Sequence, residues 1–224
     1  MLNIETFDHL FLPTLAPGRP LAQKLMIVLH GRGDSLEPFR EFNFELGVPE
    51  MNYLLLNAPR RYLDGYSWYA FPPNQGPGVL KARARLGQLL AELESQGWAS
   101  EDIFLFGFSQ GALVAADFVL HGGRPLGGVI GVSGYVYFFP HWQKNLSPYA
   151  QRTPWLMTHG RQDEALSIVE TREHIAQLWA AGIPLQWREF DKEHEIDGHR
   201  EIPFLRRWLK SVALARQAKA LQKL

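Results

Sequence analysis

With 224 residues, of which 46% are hydrophobic and 21% charged, the chain can bury one sizeable core and is too apolar to be disordered, collagen-like or a coiled coil. Its 23 basic residues balance 23 acidic ones, so there is no charge excess to hold a nucleic-acid backbone. The cysteine count of zero removes disulfides, thiolate nucleophiles and Cys-ligated metals together. Met1-Leu2-Asn3-Ile4-Glu5-Thr6 lacks the basic stretch and apolar run of a signal peptide, and no stretch reaches the ~18 apolar residues of a membrane span. The expectation is a single cytoplasmic domain over residues 1–224, without a nucleic-acid partner or a membrane span, and compatible with a homodimer.

In chain order, Leu10-Phe11-Leu12 and the residues before it predict an antiparallel edge strand. Leu25-Met26-Ile27-Val28-Leu29 is too short for a helix and apolar on both faces, the pattern of a strand buried in a parallel sheet. It runs into His30-Gly31-Arg32-Gly33-Asp34. Tyr53-Leu54-Leu55-Leu56 reads as another buried strand. Val79, Ala82, Leu86, Leu89 and Leu93 mark a helical stripe, with Pro77-Gly78 before it and Gly97 after. Ile103-Phe104-Leu105-Phe106 and Val129-Ile130-Gly131-Val132 are strands, as is Trp155-Leu156-Met157. A helix follows on Ile168, Thr171, Ile175 and Leu178, stopped by Gly182 and Pro184. Leu185–Phe190 reads as a strand, and Ile202, Leu205, Leu209 and Val212 mark the last helix, with residues 211–224 as its extension. Strand–helix alternation over the whole length predicts an α/β fold with helices covering a mostly parallel sheet.

The chemistry centres on Gly107-Phe108-Ser109-Gln110-Gly111, placed between a buried strand and a helix rich in small residues that reads from Ala112. So tight a strand-to-helix turn strains the serine backbone and leaves no room for bulky neighbours. The strain lifts Ser109 Oγ out of the sheet edge as a nucleophile. A serine needs a base and an orienting carboxylate, following in the order Ser, Asp, His. Asp163 stands beyond a strand end in His159-Gly160-Arg161-Gln162-Asp163. His194 and His199 both lie in the loop after Phe190, and order alone does not separate them. An oxyanion hole needs backbone N–H groups: one from Gln110, one from Arg32 in the loop after Leu29, with the Arg32 guanidinium free to meet an anionic substrate group. His30 reads as a residue that shapes this loop. Trp68, Tyr69, Tyr135 and Phe138 are candidates for an apolar substrate pocket.

Four stretches, His30–Asp34, Gly107–Gly111, His159–Asp163 and His194-Glu195-Ile196, stand in an order and spacing that resemble the phospholipase/carboxylesterase family of small serine hydrolases, which includes acyl-protein thioesterases. Ser67-Trp68-Tyr69 and Ser133-Gly134-Tyr135 are similar to that family's landmarks near the substrate pocket. The resemblance covers roughly residues 22–210. It implies a compact α/β-hydrolase fold without a large cap domain, and hydrolysis of carboxylic esters or thioesters without a cofactor. A serine nucleophile predicts an acyl-enzyme intermediate, and the lack of cysteine and of a ligand cluster predicts a reaction that needs no metal. The chain departs from the family at Glu193, where Gly is usual before the histidine, at Glu164-Ala165-Leu166-Ser167 after the aspartate, and at Arg32. His194 is expected to be the base: it lies four residues past Phe190, within a short loop's reach of the sheet edge, and starts the family's His-Glu-Ile pattern. His199, after Gly198, reads as a first-turn residue of the last helix. Two competing readings remain: a metal-dependent hydrolase built on His194, Asp197 and His199, and an α/β-hydrolase fold kept as a binding protein. Without a segment to sheath a long chain, short or medium acyl or aryl esters are the expected small-molecule substrates.

Overall fold

The computed structural model describes residues 2–221. Seven strands form one sheet: β1 (His9–Leu12), β2 (Leu25–Leu29), β3 (Asn52–Leu56), β6 (Ile103–Phe108), β7 (Gly128–Val132), β8 (Trp155–Gly160) and β9 (Leu185–Phe190). Their spatial order is β1-β3-β2-β6-β7-β8-β9. All pairings are parallel except β1 with β3, where His9 faces Leu56 at the edge of the sheet. The five central strands β3, β2, β6, β7 and β8 carry nearly continuous apolar runs because helices cover both faces.

Alternation along β2 shows how one strand feeds two cores. Leu25, Ile27 and Leu29 pack with α2 (Gly76–Ser95), α3 (Gln110–His121) and α4 (Ile168–Ala180), while Met26 and Val28 pack with α1 (Phe42–Glu45) and α5 (Glu201–Leu221). The helical stripe read from the sequence is the buried face of α2: Val79, Ala82, Leu86, Leu89 and Leu93 are all buried. The last helix begins at Glu201, so His199 lies in the turn before it rather than in its first turn. The expected extension over 211–224 continues α5 to Leu221; its remainder, 222–224, lies outside the described residues.

The chain builds outward from β2, first to β3 on one side and then to β6 on the other. Such a reversal opens a crevice at the carboxyl ends of the two strands. The loop after β2 and the turn after β6 meet there. A two-stranded hairpin, β4 (Arg60–Tyr62) and β5 (Gly65–Ser67), was not evident from the hydrophobic pattern. It clamps the β2 loop from outside: Gly33 N donates to Tyr66 O at 2.7 Å and Tyr66 N to Asp34 O at 2.8 Å. Among the described residues no helix is long and apolar enough to cross a membrane.

Candidate active site

Ser109 joins β6 directly to α3, which starts at Gln110, two residues before the Ala112 expected from composition. It holds φ +52° and ψ −114°, a backbone conformation that L residues avoid. Two glycines make room for this turn. A Cβ on Gly107 would lie 2.3 Å from Gly111 O, and one on Gly111 would lie 2.1 Å from Leu29 O. Backbone packed this closely fixes the serine at the mouth of the crevice and pins it to the neighbouring strand, with Ser109 N donating to Val132 O at 2.9 Å.

Asp163 and His194 leave the ends of β8 and β9. The Asp163 side chain is fully buried, and its two oxygens do different work. Oδ1 accepts from the N–H groups of Ala165 (3.0 Å) and Leu166 (2.9 Å), which fixes the carboxylate in its own turn. Oδ2 lies 2.8 Å from His194 Nδ1. A carboxylate can only accept there, so Nδ1 carries the ring proton and Nε2 presents a lone pair. That lone pair is 2.9 Å from Ser109 Oγ. The Phe108 ring supports the imidazole from one side at 5.2 Å. The N-cap of α4 is Ser167, whose side chain accepts from Glu170 N.

His199 is remote from this line; its N–H donates to Asp197 Oδ1, and the other Asp197 oxygen accepts from Arg200 Nε at 3.0 Å. Asp197 therefore closes a turn ahead of α5. Among the described residues no group of three or more His, Asp or Glu could hold a metal ion, so the His194, Asp197 and His199 set does not form one.

Arg32 and Gln110 line the same cavity as Ser109 and His194. Gln110 is the first residue of α3, where no preceding turn accepts its N–H and the helix dipole favours negative charge. Its side chain has a separate task. Oε1 accepts from Trp68 N (3.0 Å) and Ser67 Oγ (3.2 Å), and Nε2 donates to Tyr69 O (3.0 Å), so one amide holds the 67–69 segment against the site. His30 is a buried brace for the opposite loop. Its Nε2 accepts from Ala58 N at 3.0 Å while Nδ1 donates to Gly31 O, and burial depresses its pKa. The Arg32 guanidinium is not free in solvent: it stacks 3.6 Å above the Phe71 ring.

The cavity has a volume of about 300 Å3. Of the four aromatic candidates, Tyr69 and Tyr135 line it, whereas Trp68 and Phe138 do not. Trp68 turns inward, where its indole N–H donates to His30 O at 2.9 Å and its ring meets Phe7. Phe138 stacks on Trp142 at 4.5 Å and against His174. Aromatic character in a loop does not reveal which way a ring faces. Phe71, a loop aromatic beside Trp68 and Tyr69 and read with them as pocket-forming, lines the cavity, as do Phe108 and Leu166, which the sequence does not mark, although Phe108 adjoins the serine within the motif itself. A second cleft of about 530 Å3, lined by Phe39, Phe42, Ile196 and Ile202, shares only Asp34, Phe108 and His194 with the first.

Nothing in the sequence marks Lys192. It is buried, with Nζ 2.7 Å from Glu201 Oε2, 3.0 Å from Ser133 Oγ and bonded to Glu195 O. His159 is also buried; its Nε2–H donates to Leu166 O at 3.1 Å behind Asp163, and burial lowers its pKa despite the nearby carboxylate.

The sequence profile of the phospholipase/carboxylesterase family matches residues 13–212. The chain is 27% identical over 217 residues to a probable carboxylesterase of Oryza sativa subsp. japonica, spanning 88% of this chain and 80% of that one. It is 27% identical over 176 residues to acyl-protein thioesterase 1 of Aspergillus fumigatus, covering 68% and 72% of the two chains. The crystal structure of Arabidopsis thaliana SOBER1 superposes with a TM-score of 0.78 at 23% identity, over 84% of this chain and 98% of that one, and so shares the fold. With the profile spanning nearly the whole α/β unit, the chain belongs to the phospholipase/carboxylesterase family of α/β-hydrolases, a family of hydrolytic enzymes.

Proposed function

We propose that the protein is a serine hydrolase that cleaves carboxylic esters, with thioesters as a second substrate class, through a Ser109-His194-Asp163 triad. The observation that carries this reading is the unbroken hydrogen-bonded line from Asp163 Oδ2 through His194 to Ser109 Oγ. In the first half-reaction Ser109 Oγ attacks the ester carbonyl as His194 Nε2 takes its proton. The N–H groups of Arg32 and Gln110 hold the oxyanion, at a helix N-terminus that favours developing negative charge. His194 then passes the proton to the leaving alcohol, and the acyl group stays on Ser109. Water, deprotonated by the same imidazole, releases the acid. Asp163 fixes the tautomer and stabilises the imidazolium in both halves. A cavity of about 300 Å3 sits at the small end of ligand pockets, which favours short or medium acyl groups.

The test is Ser109→Ala on a 4-nitrophenyl ester. The fold should persist and kcat should drop ~10³-fold or more. Retention of over about a tenth of the wild-type rate in a pure sample would sink the assignment. A fluorophosphonate should label Ser109 in the wild type, an outcome that neither a metal-dependent hydrolase nor a non-catalytic binding protein shares. Dialysis against EDTA should leave the rate unchanged; a loss restored by zinc or manganese would favour the metal reading.

A further inference from the structure

Three polar groups in the Ser109 cavity have no task in the triad. The Arg32 guanidinium lines the cavity, and among the described residues it takes part in no ion pair within 4.0 Å. Its face is stacked on Phe71 at 3.6 Å, with Tyr62 at 5.5 Å, which leaves the N–H edge of the fork for another partner. Tyr69 is 2% exposed, and its hydroxyl is shut off from the open cavity with the Tyr135 phenol beside it. A buried phenol is costly to leave unpaired, and the neighbouring Tyr135 oxygen is the acceptor beside it, which leaves the Tyr135 O–H for a ligand. Tyr135 lines the cavity itself, and the Arg32 charge acts on both phenols.

A guanidinium fork and a phenol on one aromatic cavity wall, with a second phenol held behind it, match an anion that accepts several hydrogen bonds. One cation supplies a single positive charge, and Asp34 stands on the same cavity wall, which disfavours a doubly charged phosphate. A carboxylate fits better. The leaving oxygen must lie at His194 Nε2 to be protonated, and the cleft beyond His194 contains neither Arg32 nor either tyrosine. The cavity with Arg32, Tyr69 and Tyr135 is left to the acyl half.

We infer that Arg32 and Tyr135, with Tyr69 backing the Tyr135 phenol, form a carboxylate-binding subsite for the acyl half of the substrate, so that half-esters of small dicarboxylic acids are preferred to neutral esters of the same length. This rests on the ester-hydrolase reading of Ser109 and specifies its substrate class.

The experiment compares monoethyl glutarate with ethyl pentanoate, following release of ethanol. Each reaction consumes one water and yields one ethanol and one acid. Wild-type kcat/KM should favour the half-ester by at least about tenfold, the scale of a charge-assisted hydrogen-bond set. Because the Arg32 N–H is also placed in the oxyanion hole, the readout is the ratio of the two substrates within each enzyme. Arg32→Gln should bring the ratio close to one, Arg32→Lys should restore part of it, and Tyr69→Phe and Tyr135→Phe should each lower it. A direct binding arm uses free glutarate and calorimetry with the Ser109→Ala protein: saturable binding should vanish in the Ser109→Ala/Arg32→Gln double variant. A wild-type ratio of one or below, or a ratio unchanged by Arg32→Gln, overturns the subsite while leaving the hydrolase reading intact. If neither ester is hydrolysed and fluorophosphonate fails to label Ser109, the hydrolase reading falls instead, and glutarate binding alone decides the subsite: its Arg32-dependent presence upholds it and its absence overturns it.

Discussion

At the scale of single residues, the geometry around Ser109 is set by atoms that are missing. A methyl group on Gly111 would sit 2.1 Å from Leu29 O, and backbone cannot rotate away as a side chain can. The relief available is to push back the loop from Leu29 to Gly31, which leads directly to Arg32. Gly111→Ala is therefore expected to cost about 1–3 kcal/mol of stability, the range of overpacked sites. Its kcat should fall more than that loss of stability would suggest, because the displaced loop carries the Arg32 N–H proposed for the oxyanion hole. Urea denaturation and steady-state kinetics on one preparation check this, and wild-type kcat in a destabilised protein would contradict it. The choice between histidines is also a residue-scale test: His194→Ala should lose activity by orders of magnitude and His199→Ala should keep it. That Ser109, Asp163 and His194 lie beyond strand ends was legible in the sequence, because so tight a turn needs glycines and apolar runs mark the strands, while the preference for His194 over His199 also leaned on the His-Glu-Ile pattern. The orientation of Trp68 and Phe138 was not legible. Their identity says nothing of whether a ring faces cavity or core, and Trp68 is drawn inward by the carbonyl of His30.

At the scale of elements, the loop between β9 and α5 holds His194 in register, and a buried ion pair fastens it. Lys192 and Glu201 are 1% and 0% exposed, and Lys192 reaches Ser133 at the end of β7 as well as Glu195 in its own loop. Glu201 Oε2 also accepts from Asp197 N at 3.0 Å. A pair this deep does not itself argue for stability, but removing one partner strands a charge in the core. Lys192→Met should destabilise the fold by about 3–5 kcal/mol, while Lys192→Met/Glu201→Leu should recover most of that loss. In the double variant kcat should stay depressed with KM little changed, since the loop is refilled but no longer tied to β7. Full kcat in the stable double variant would show that the pair does not position His194. The sequence Asp191-Lys192-Glu193-His194-Glu195 disguises this role, because alternating charges resemble a solvated loop. The β4–β5 hairpin leaves no hydrophobic signature for another reason: its strands are three residues each, too short for periodicity, although Asp64-Gly65 is a turn signal that points to it.

At the scale of the whole molecule, sheet order lies beyond what apolar runs can tell: they predict buried strands but not that β2 sits between β3 and β6. The same enclosure gives the protein a pH dependence of stability, through histidines held neutral. His30, His121, His159 and His174 all have pKa values lowered by burial. The hydrogen bonds show why. His30 Nε2 already accepts an N–H from Ala58, while His121 Nε2, His159 Nδ1 and His174 Nδ1 have no partner that could accept an added proton. The unfolded chain binds protons at these imidazoles near pH 6.5 and the folded chain does not, so stability is complete above that value and is lost as pH falls toward the folded pKa values. His30 and His159, at 1% and 0% exposed, carry most of the effect, each up to about 1.4 kcal/mol per pH unit. Burial raises the pKa of Asp117, which opposes this trend in the carboxylate range, whereas Glu189, lowered to about 2 by Arg172, adds to acid sensitivity only below about pH 4.5. Between pH 7.5 and 5 the histidines therefore set the sign. Urea midpoints measured across that interval should decline steadily below pH 6.5, with the m-value unchanged. A flat profile, or one that rises toward pH 5, would mean that the four imidazoles accept their protons in the folded protein.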